Sequence, residues 1–491
     1  MNFFDYLFQH SSALNKDFIL GAKETISYKK LYTDSLSLSK YLYNTFGENH
    51  SFIIVSENSV FFTLAYLAVL KSGNICIPLN PALETNSFKQ ILTLTEPSLA
   101  FVSKKYQQKF INSKLTILNE EFVNKITEGF SNKNHDENTT PFISERLAEI
   151  IFTSGSTGEQ KGVKISHKNL IANTRSIVDY LRLTNTDIIQ IVMPFYYCYG
   201  LSLLHTHLRA GGSVVFNNSF LFIGSVINDL NKYKCTGFSG VPSHFQILLR
   251  KTRDFKNTKF PHLRYVTQAG GKLHNAFIRE FVEAFPTIDF IVMYGQTEAT
   301  ARLSYLEPGL VLKKLGSIGK AIPGVTLKVV DKDGSEVLPG NTGEIIASGD
   351  NIMLGYFKDE TSTRVILKNG WLHTGDIGTI DEDGYIYIKS RKKEIFKVRG
   401  IRISPKEIEE VIVSFPGVID CTIESEYDEL TGEGLKATIF INATNKDDFK
   451  AIAIQEYCSK HLANHKIPNT IIFDTTLSFN AAGKKQYHKP N

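Results

Sequence analysis

Residues 51–79 constrain the fold of this chain more than any other stretch. Ser51–Ser56 (SFIIVS) reads as a buried strand, Val60–Leu70 as a helix closed by Gly73, and Ile75–Leu79 (ICIPL) as the next strand. Strand, helix and strand joined this closely imply a parallel sheet with helices on its faces. The same alternation runs to about residue 125 and resumes from Ala148 to about Met293. Between the two, Glu128–Phe142 (EGFSNKNHDENTTPF) is polar, Asn-rich and aperiodic, and is expected to be a flexible connector.

Beyond Gly316 the texture changes to short alternating strands. Val325, Leu327 and Val329 are followed by a turn at Asp333-Gly334 and by GEIIASG, and a second turn at Asp383-Gly384 precedes YIYI. This pattern predicts a β-rich subdomain over about 316–390. After Ile388 comes the charged segment SRKKEIFKVRG. Ser404 to Glu407 then has the spacing of a capping box, with Pro405 at the first helical position and Ile408, Val411, Ile412 and Phe415 at helical spacing. The expected class is α/β. Residues 1–390 would form a large domain of mixed and parallel sheets covered by helices, and 391–491 a small mobile α+β domain joined by a hinge.

Composition narrows the class of function. The chain has 491 residues, 42% hydrophobic and 21% charged, ordinary values for a globular protein of at least two domains. A net charge of only +5, with both signs interleaved, argues against a nucleic-acid scaffold. Cys76, Cys198, Cys235, Cys421 and Cys458 are scattered with no C-x-x-C spacing, which suits a reducing compartment. The opening MNFFDYLFQHSSALNK has no basic region before an apolar run, so no secretory signal is expected. Val60–Leu70 falls short of the roughly 20 residues a membrane span requires. The expectation is a cytoplasmic enzyme.

The loop after the strand Ile150-Ile151-Phe152 carries the chemistry. Thr153-Ser154-Gly155-Ser156-Thr157-Gly158 is followed by Lys161-Gly162. Glycines let backbone N–H groups approach an anion, four hydroxyls can donate to phosphate oxygens, and Lys161 supplies a mobile cation. These features suit a polyphosphate, yet the loop is not of the Walker type, since G-x-x-x-x-G-K-[ST] is absent.

TSGSTGxxKG resembles the phosphate loop of the adenylate-forming superfamily, which includes acyl-CoA synthetases, peptide-synthetase adenylation domains and beetle luciferases. Gln160 stands where that family usually has proline. Further resemblances follow in the family's order along nearly the whole chain. Tyr294-Gly295-Gln296-Thr297-Glu298 is similar to the Y-G-x-T-E motif. The resemblance implies that the aromatic packs beside adenine, Thr297 bonds the α-phosphate, and Glu298 holds Mg²⁺, a cation that favours carboxylates plus phosphate oxygens. Thr374-Gly375-Asp376 resembles the T-G-D whose aspartate accepts from the ribose hydroxyls. Arg391 matches the arginine on the same ribose, with Ser390 in place of the usual glycine. Lys393 falls at the hinge position, and a solvated basic turn is the alternative for Arg391–Lys393.

Gly483-Lys484 resembles the family's final G-K, whose lysine bridges carboxylate and α-phosphate; the usual preceding L-P is Leu477-Ser478 here. A basic surface tail is the alternative. Gly400 matches the glycine beside the pantetheine tunnel, or else serves the entry to the following helix. Gly270-Gly271 and His244 sit where the family lines its adenine and acid sites. Pro194–Leu201 (PFYYCYGL) matches the start of the acid pocket, with Tyr197, Tyr199 and Gly200 as candidate lining residues, or else the tyrosines are core packing. No aspartate stands near Tyr197 to pair with an α-ammonium, so an apolar or aryl acid is favoured over an α-amino acid. His205-x-His207 could suggest a metal pair but has no evident third ligand.

The resemblance implies activation of a small-molecule carboxylic acid with ATP and Mg²⁺, pyrophosphate release, and transfer to CoA. A stand-alone ligase loading a separate carrier protein's phosphopantetheine is the nearest alternative, since the sequence stops soon after Lys484 with no carrier domain read in it. A catalytically silent nucleotide-binding regulator is a third, and a luciferase-like oxidase has only the fold in its favour. No nucleic acid and no membrane span are expected.

Overall fold

The computed structural model describes residues 1–110, 115–130, 142–154, 160–220, 222–252, 254–391, 396–398, 401–426, 434–442 and 449–476. The predicted strand–helix–strand unit is present as Ser51–Val55, Val60–Lys71 and Ile75–Pro78. Ser59 caps the helix by accepting from Phe62 N at 3.0 Å, and Gly73 N returns to Leu70 O at 3.2 Å to close it. Every residue from Phe61 to Leu70 is buried, so this helix runs through the interior rather than along the surface.

Ser51–Val55 and Ile75–Pro78 belong to a seven-stranded sheet. Its order is Gly355–Tyr356, Gln160–Ser166, Leu147–Ser154, Ile75–Pro78, Ser51–Val55, Leu99–Val102, Thr116–Leu118. The last five are parallel to one another, and the first two add antiparallel at one edge. A nine-stranded sheet has a parallel centre of Asp289–Tyr294, Tyr265–Gln268, Gly237–Gly240, Ile188–Ile191, Ser213–Phe216 and Asp17–Leu20, with antiparallel strands at both edges. The β-rich region is an antiparallel sheet of Val325–Val330, Thr342–Gly349, Trp371–Ile380, Leu367–Lys368 and Ile386–Arg391. Both expected turns form, Gly334 N bonding Asp331 O at 3.2 Å and Gly384 N bonding Asp381 O at 3.0 Å.

In the C-terminal part, helices Pro405–Val413 and Ala451–Ser459 accompany a sheet of Val418–Glu426, Gly434–Ile441 and Thr470–Asp474. It docks on the large part through polar contacts at a helix end. Arg250 Nη1 donates to Val413 O at 3.2 Å and also to Val418 O. Glu410 accepts from the backbone of Asn275 at 2.6 Å, lies 3.3 Å from His274 Nδ1 and pairs with Lys272 at 3.4 Å. Burial pushes the Glu410 carboxyl up, but these donors and charges outweigh it and bring it down to about 2.

The structure departs from the sequence expectation at two places. The helix after Ser404 begins at Pro405 as expected, but no capping box forms. The Ser404 hydroxyl donates to Lys389 O at 2.9 Å and Glu407 pairs with Lys466 at 2.7 Å, so both side chains are taken by tertiary partners. The connector expected over Glu128–Phe142 is ordered at both ends. Glu128–Phe130 finish the helix Glu120–Phe130, whose Val123 and Ile126 are buried at helical spacing. Phe142 lies edge-on to His167 with centroids 4.7 Å apart, and the Arg146 guanidinium covers its ring. Residues 131–141 lie outside the described residues.

Candidate functional site

The predicted phosphate loop joins two paired strands. Thr153 stands opposite Lys161 and Ser154 opposite Gln160, so the loop connects two antiparallel strands, not a strand and a helix as in the Walker kind. Thr153 Oγ1 donates to Lys161 O at 3.5 Å. Gly155, Ser156, Thr157 and Gly158 lie outside the described residues, as do the side chain of Ser154 and Lys393, Gly400 and Lys484.

Lys161 is held by elements far away in sequence. The edge strand Gly355–Tyr356 pairs with the hairpin so that Tyr356 faces Val163. Residues two apart on a strand share a face, so Tyr356 is diagonal to Lys161 on the same side. The ammonium accordingly sits 4.9 Å from the centre of the Tyr356 ring. It also donates to Ser362 Oγ at 2.6 Å and lies 3.8 Å from Asp359 Oδ2. Asp359 is the N-cap of the helix Glu360–Ile366, with Oδ1 accepting from Ser362 N at 2.9 Å.

Glu298 approaches the same tyrosine from the other side. Tyr356 donates its hydroxyl to Glu298 Oε1 at 2.8 Å. Burial, and then the neighbouring Glu298, push that hydroxyl well up, so it remains a donor. Among the described residues no cation pairs with Glu298. Its second oxygen therefore suits a hard cation such as Mg²⁺, and the donor chemistry fits. The loop carrying Glu298 is clamped to the β-rich region. Met353 N donates to Glu298 O at 3.0 Å, Thr300 Oγ1 donates to Asn351 O at 2.6 Å, and Asn351 Nδ2 donates to Arg302 O at 2.8 Å. Gly295 is required by the same tight loop, since a Cβ there would lie 2.0 Å from Ala301 O.

At the other end of the site three predicted residues meet. Asp376 and Arg391 are direct cross-strand partners, and Arg391 Nε donates to Asp376 Oδ1 at 3.0 Å. Tyr294, the last residue of its strand, donates its hydroxyl to Asp376 Oδ2 at 2.6 Å. Burial, then the Asp376 carboxylate, push the Tyr294 hydroxyl far above its usual range, so it too stays a donor. Motifs more than eighty residues apart are thus joined at one carboxylate.

The candidate acid-pocket residues divide. Tyr197 is half-buried, its ring 4.8 Å from that of Tyr196. Tyr196 borders a cavity of about 280 Å³ shared with Glu57, Asn80, Tyr106 and Lys109. Tyr199 goes to the core, its hydroxyl bonded to Thr267 O at 3.2 Å and its ring under the Arg302 guanidinium at 4.2 Å. Gly200 has a packing reason of its own, for a Cβ would come within 2.1 Å of Pro194 O. His244 is buried, accepts from Val241 N at 3.4 Å through Nδ1 and stacks on Phe220 at 4.1 Å. Burial brings it down to about 3, so it is neutral. Gly270 and Gly271 form the turn after Tyr265–Gln268, where Gln268 Nε2 donates to Gly271 O at 2.7 Å.

His205 and His207 are no metal pair. His205 packs between Tyr66 and Phe3, whereas His207 contacts Leu203 O at 3.0 Å and Tyr265 at 3.3 Å. Among the described residues no group of His, Cys, Asp or Glu could hold a metal ion on its own. Sequence reasoning missed Tyr356, Asp359 and Ser362, and passed over Cys198, whose sulfur lies 3.5 Å from Thr297 Oγ1. Cys198 could have been found from its place inside PFYYCYGL; the other three carry no local signal.

Residues 8–357 match the AMP-binding enzyme family and residues 407–484 the AMP-binding enzyme C-terminal domain, and the chain belongs to this family. It is therefore an enzyme of the adenylate-forming class. It is 30% identical over 433 residues to 4-coumarate–CoA ligase-like 6 of Arabidopsis thaliana, covering 83% of this chain and 76% of the relative. It is 26% identical over 525 residues to the long-chain-fatty-acid–CoA ligase of Salmonella typhimurium, covering 97% and 92%. Its fold superposes on ATP-bound MatB from Rhodopseudomonas palustris with a TM-score of 0.88 at 27% identity, covering 99% and 97%. No described helix is long and apolar enough to cross a membrane.

Proposed function

We propose that this enzyme joins a carboxylic acid to the thiol of CoA in two steps driven by ATP. The observation that carries the reading is the two-ended site. Tyr294, Asp376 and Arg391 meet at one end, and Lys161 and Glu298 meet at Tyr356 at the other. The first end offers a carboxylate to ribose hydroxyls, the second a cation and a free carboxylate oxygen to a metal-bound polyphosphate. The names of the relatives, a 4-coumarate–CoA ligase-like protein and a long-chain-fatty-acid–CoA ligase, support the same chemistry.

In the first step a carboxylate oxygen attacks the α-phosphorus of ATP and the bond to pyrophosphate breaks. The obstacle is charge, since an anion approaches an anion. Lys161 neutralises the leaving side, and Thr297 donates toward the α-phosphate. Glu298 would hold Mg²⁺, which when bound spreads the phosphate charge. Lys484 is assigned the bridge between acid and α-phosphate on the strength of its motif. In the second step the thiol loses its proton, its sulfur attacks the acyl carbon, and AMP leaves as the carbon–oxygen bond breaks. Gly400 and the hinge at Lys393 belong to this step, in which the small domain from about residue 391 would move relative to residues 1–390.

Tyr197 beside Tyr196, with no aspartate nearby in sequence, favours an apolar or aryl acid. Five cysteines without a disulfide among them fit a cytoplasmic setting. The test is acid-dependent ATP–pyrophosphate exchange over a panel of aryl, fatty and dicarboxylic acids, followed by thioester formation with CoA and with a carrier protein. Exchange with at least one acid is expected, falling roughly a hundredfold in Lys484→Ala. Flat exchange across the panel would favour a silent nucleotide-binding regulator, and thioester on the carrier alone would move the acceptor.

A further inference from the structure

One side chain touches both halves of the phosphate end. Tyr356 is 7% exposed and is fixed from three directions. Its backbone pairs with Val163, its N–H donates to Thr363 Oγ1 at 2.9 Å, and its ring lies beneath Lys161. Thr363 in turn donates to Asp359 O at 2.8 Å, so the turn between Tyr356 and the following helix is cross-linked. The hydroxyl at the end of this rigid mount donates to Glu298 Oε1 at 2.8 Å.

We propose that Tyr356 is a positioning residue for metal-nucleotide binding, its hydroxyl orienting the Glu298 carboxylate and its ring face seating the Lys161 ammonium. This rests on the adenylation reading above and adds to it a residue in neither motif. A charge-assisted hydrogen bond to one oxygen fixes the carboxylate rotamer and presents the second oxygen in a single direction. A cation over an aromatic face stays charged and near the ring without a hydrogen bond to surrender. Lys161 can therefore leave Ser362 and Asp359 for a phosphate while remaining on the ring. The hydroxyl and the ring have separable roles: the first acts through the metal, the second on the nucleotide itself.

The test measures ATP affinity by titration calorimetry, with excess Mg²⁺ and with EDTA, in the full chain. Tyr356→Phe is expected to weaken ATP binding roughly tenfold with Mg²⁺ and to leave it unchanged in EDTA. Tyr356→Leu should also weaken binding in EDTA, by roughly threefold, because the ring under Lys161 is gone. In a Glu298→Gln background the Tyr356→Phe change should have no further effect with Mg²⁺, since its target carboxylate is absent. Equal weakening with and without metal in Tyr356→Phe would mean a general structural role and overturn the proposal. Wild-type affinity in both conditions, or full additivity with Glu298→Gln, would overturn it too. If the unaltered enzyme shows no ATP binding, the adenylation reading itself fails, an outcome distinct from a null effect of the variants.

Discussion

Tyr294 and Asp376 are bound side chain to side chain at 2.6 Å, although Tyr294 ends a strand of the nine-stranded sheet and Asp376 lies within the β-rich sheet. With Arg391 on the other oxygen, both carboxylate oxygens have a protein donor. A carboxylate accepts about four hydrogen bonds, so room remains for a ribose. The two protein donors fix the orientation of the carboxylate.

Asp376→Ala is accordingly expected to raise the KM for ATP by about tenfold and to abolish the preference for ATP over 2′,3′-dideoxy-ATP. Tyr294→Phe should reduce that preference by a few-fold while keeping its sign. Pyrophosphate exchange with each nucleotide measures both. A retained preference in Asp376→Ala would separate this carboxylate from the ribose.

In the proposed site Asp359 would compete with phosphate for Lys161. The pair is 3.8 Å long and about a third exposed on both sides, so the competition is weak. Asp359→Asn should keep its cap on Ser362 N while losing the charge, and so tighten metal-free ATP binding by roughly two- to threefold. Calorimetry at low and high salt checks this, and the gain should shrink as salt rises.

Buried histidines predict acid lability. Burial brings His167, His205 and His244 down to about 3 and His207 to about 4. Each lies below the unfolded value of roughly 6.5, so between these limits the unfolded chain binds more protons. Their contribution to stability is full above about pH 6.5 and is lost as pH falls toward 3. The melting temperature should decline steadily across that window. His205→Phe should flatten the decline while changing stability at neutral pH little, because His205 Nε2 has no hydrogen-bond partner among the described residues.

Glu410 behaves differently. Its folded value of about 2 lies below the ordinary carboxylate value, so its hold on Lys272, His274 and Asn275 is complete above about pH 4.5 and fades toward pH 2. Glu410→Gln should speed hydrogen exchange at Asn275 N–H and raise protease sensitivity near the start of the C-terminal region at neutral pH, with a cost of about 3 kcal/mol at most. Unchanged exchange would show that Arg250 alone secures the contact.

Much of the fold before residue 391 is legible because its signals are local. The apolar runs at 51–79 give strand, helix and strand directly, and Asp376 and Arg391 stand out by motif before they meet across a hairpin. The residues that escaped notice depend on pairing. Tyr356 lies on a strand of two residues, too short to leave a period, and its role comes from facing Val163. Ser404 and Glu407 had the right spacing for a capping box, yet Lys389 O and Lys466 offered better partners that no local pattern contains. Tyr199 and Tyr197 are two residues apart, but helix geometry sends Tyr199 into the core while Tyr197 stays at the helix entrance.

The contact between Lys161 and Ser362 spans 201 residues of chain. A ribosome adding about 5–20 residues per second needs roughly 10–40 s to make that distance. For nearly all of that interval Lys161 has neither the helix nor the tyrosine that hold it in the folded chain. A chain interrupted before residue 362 leaves the ribosome without the Ser362 hydroxyl that accepts from Lys161.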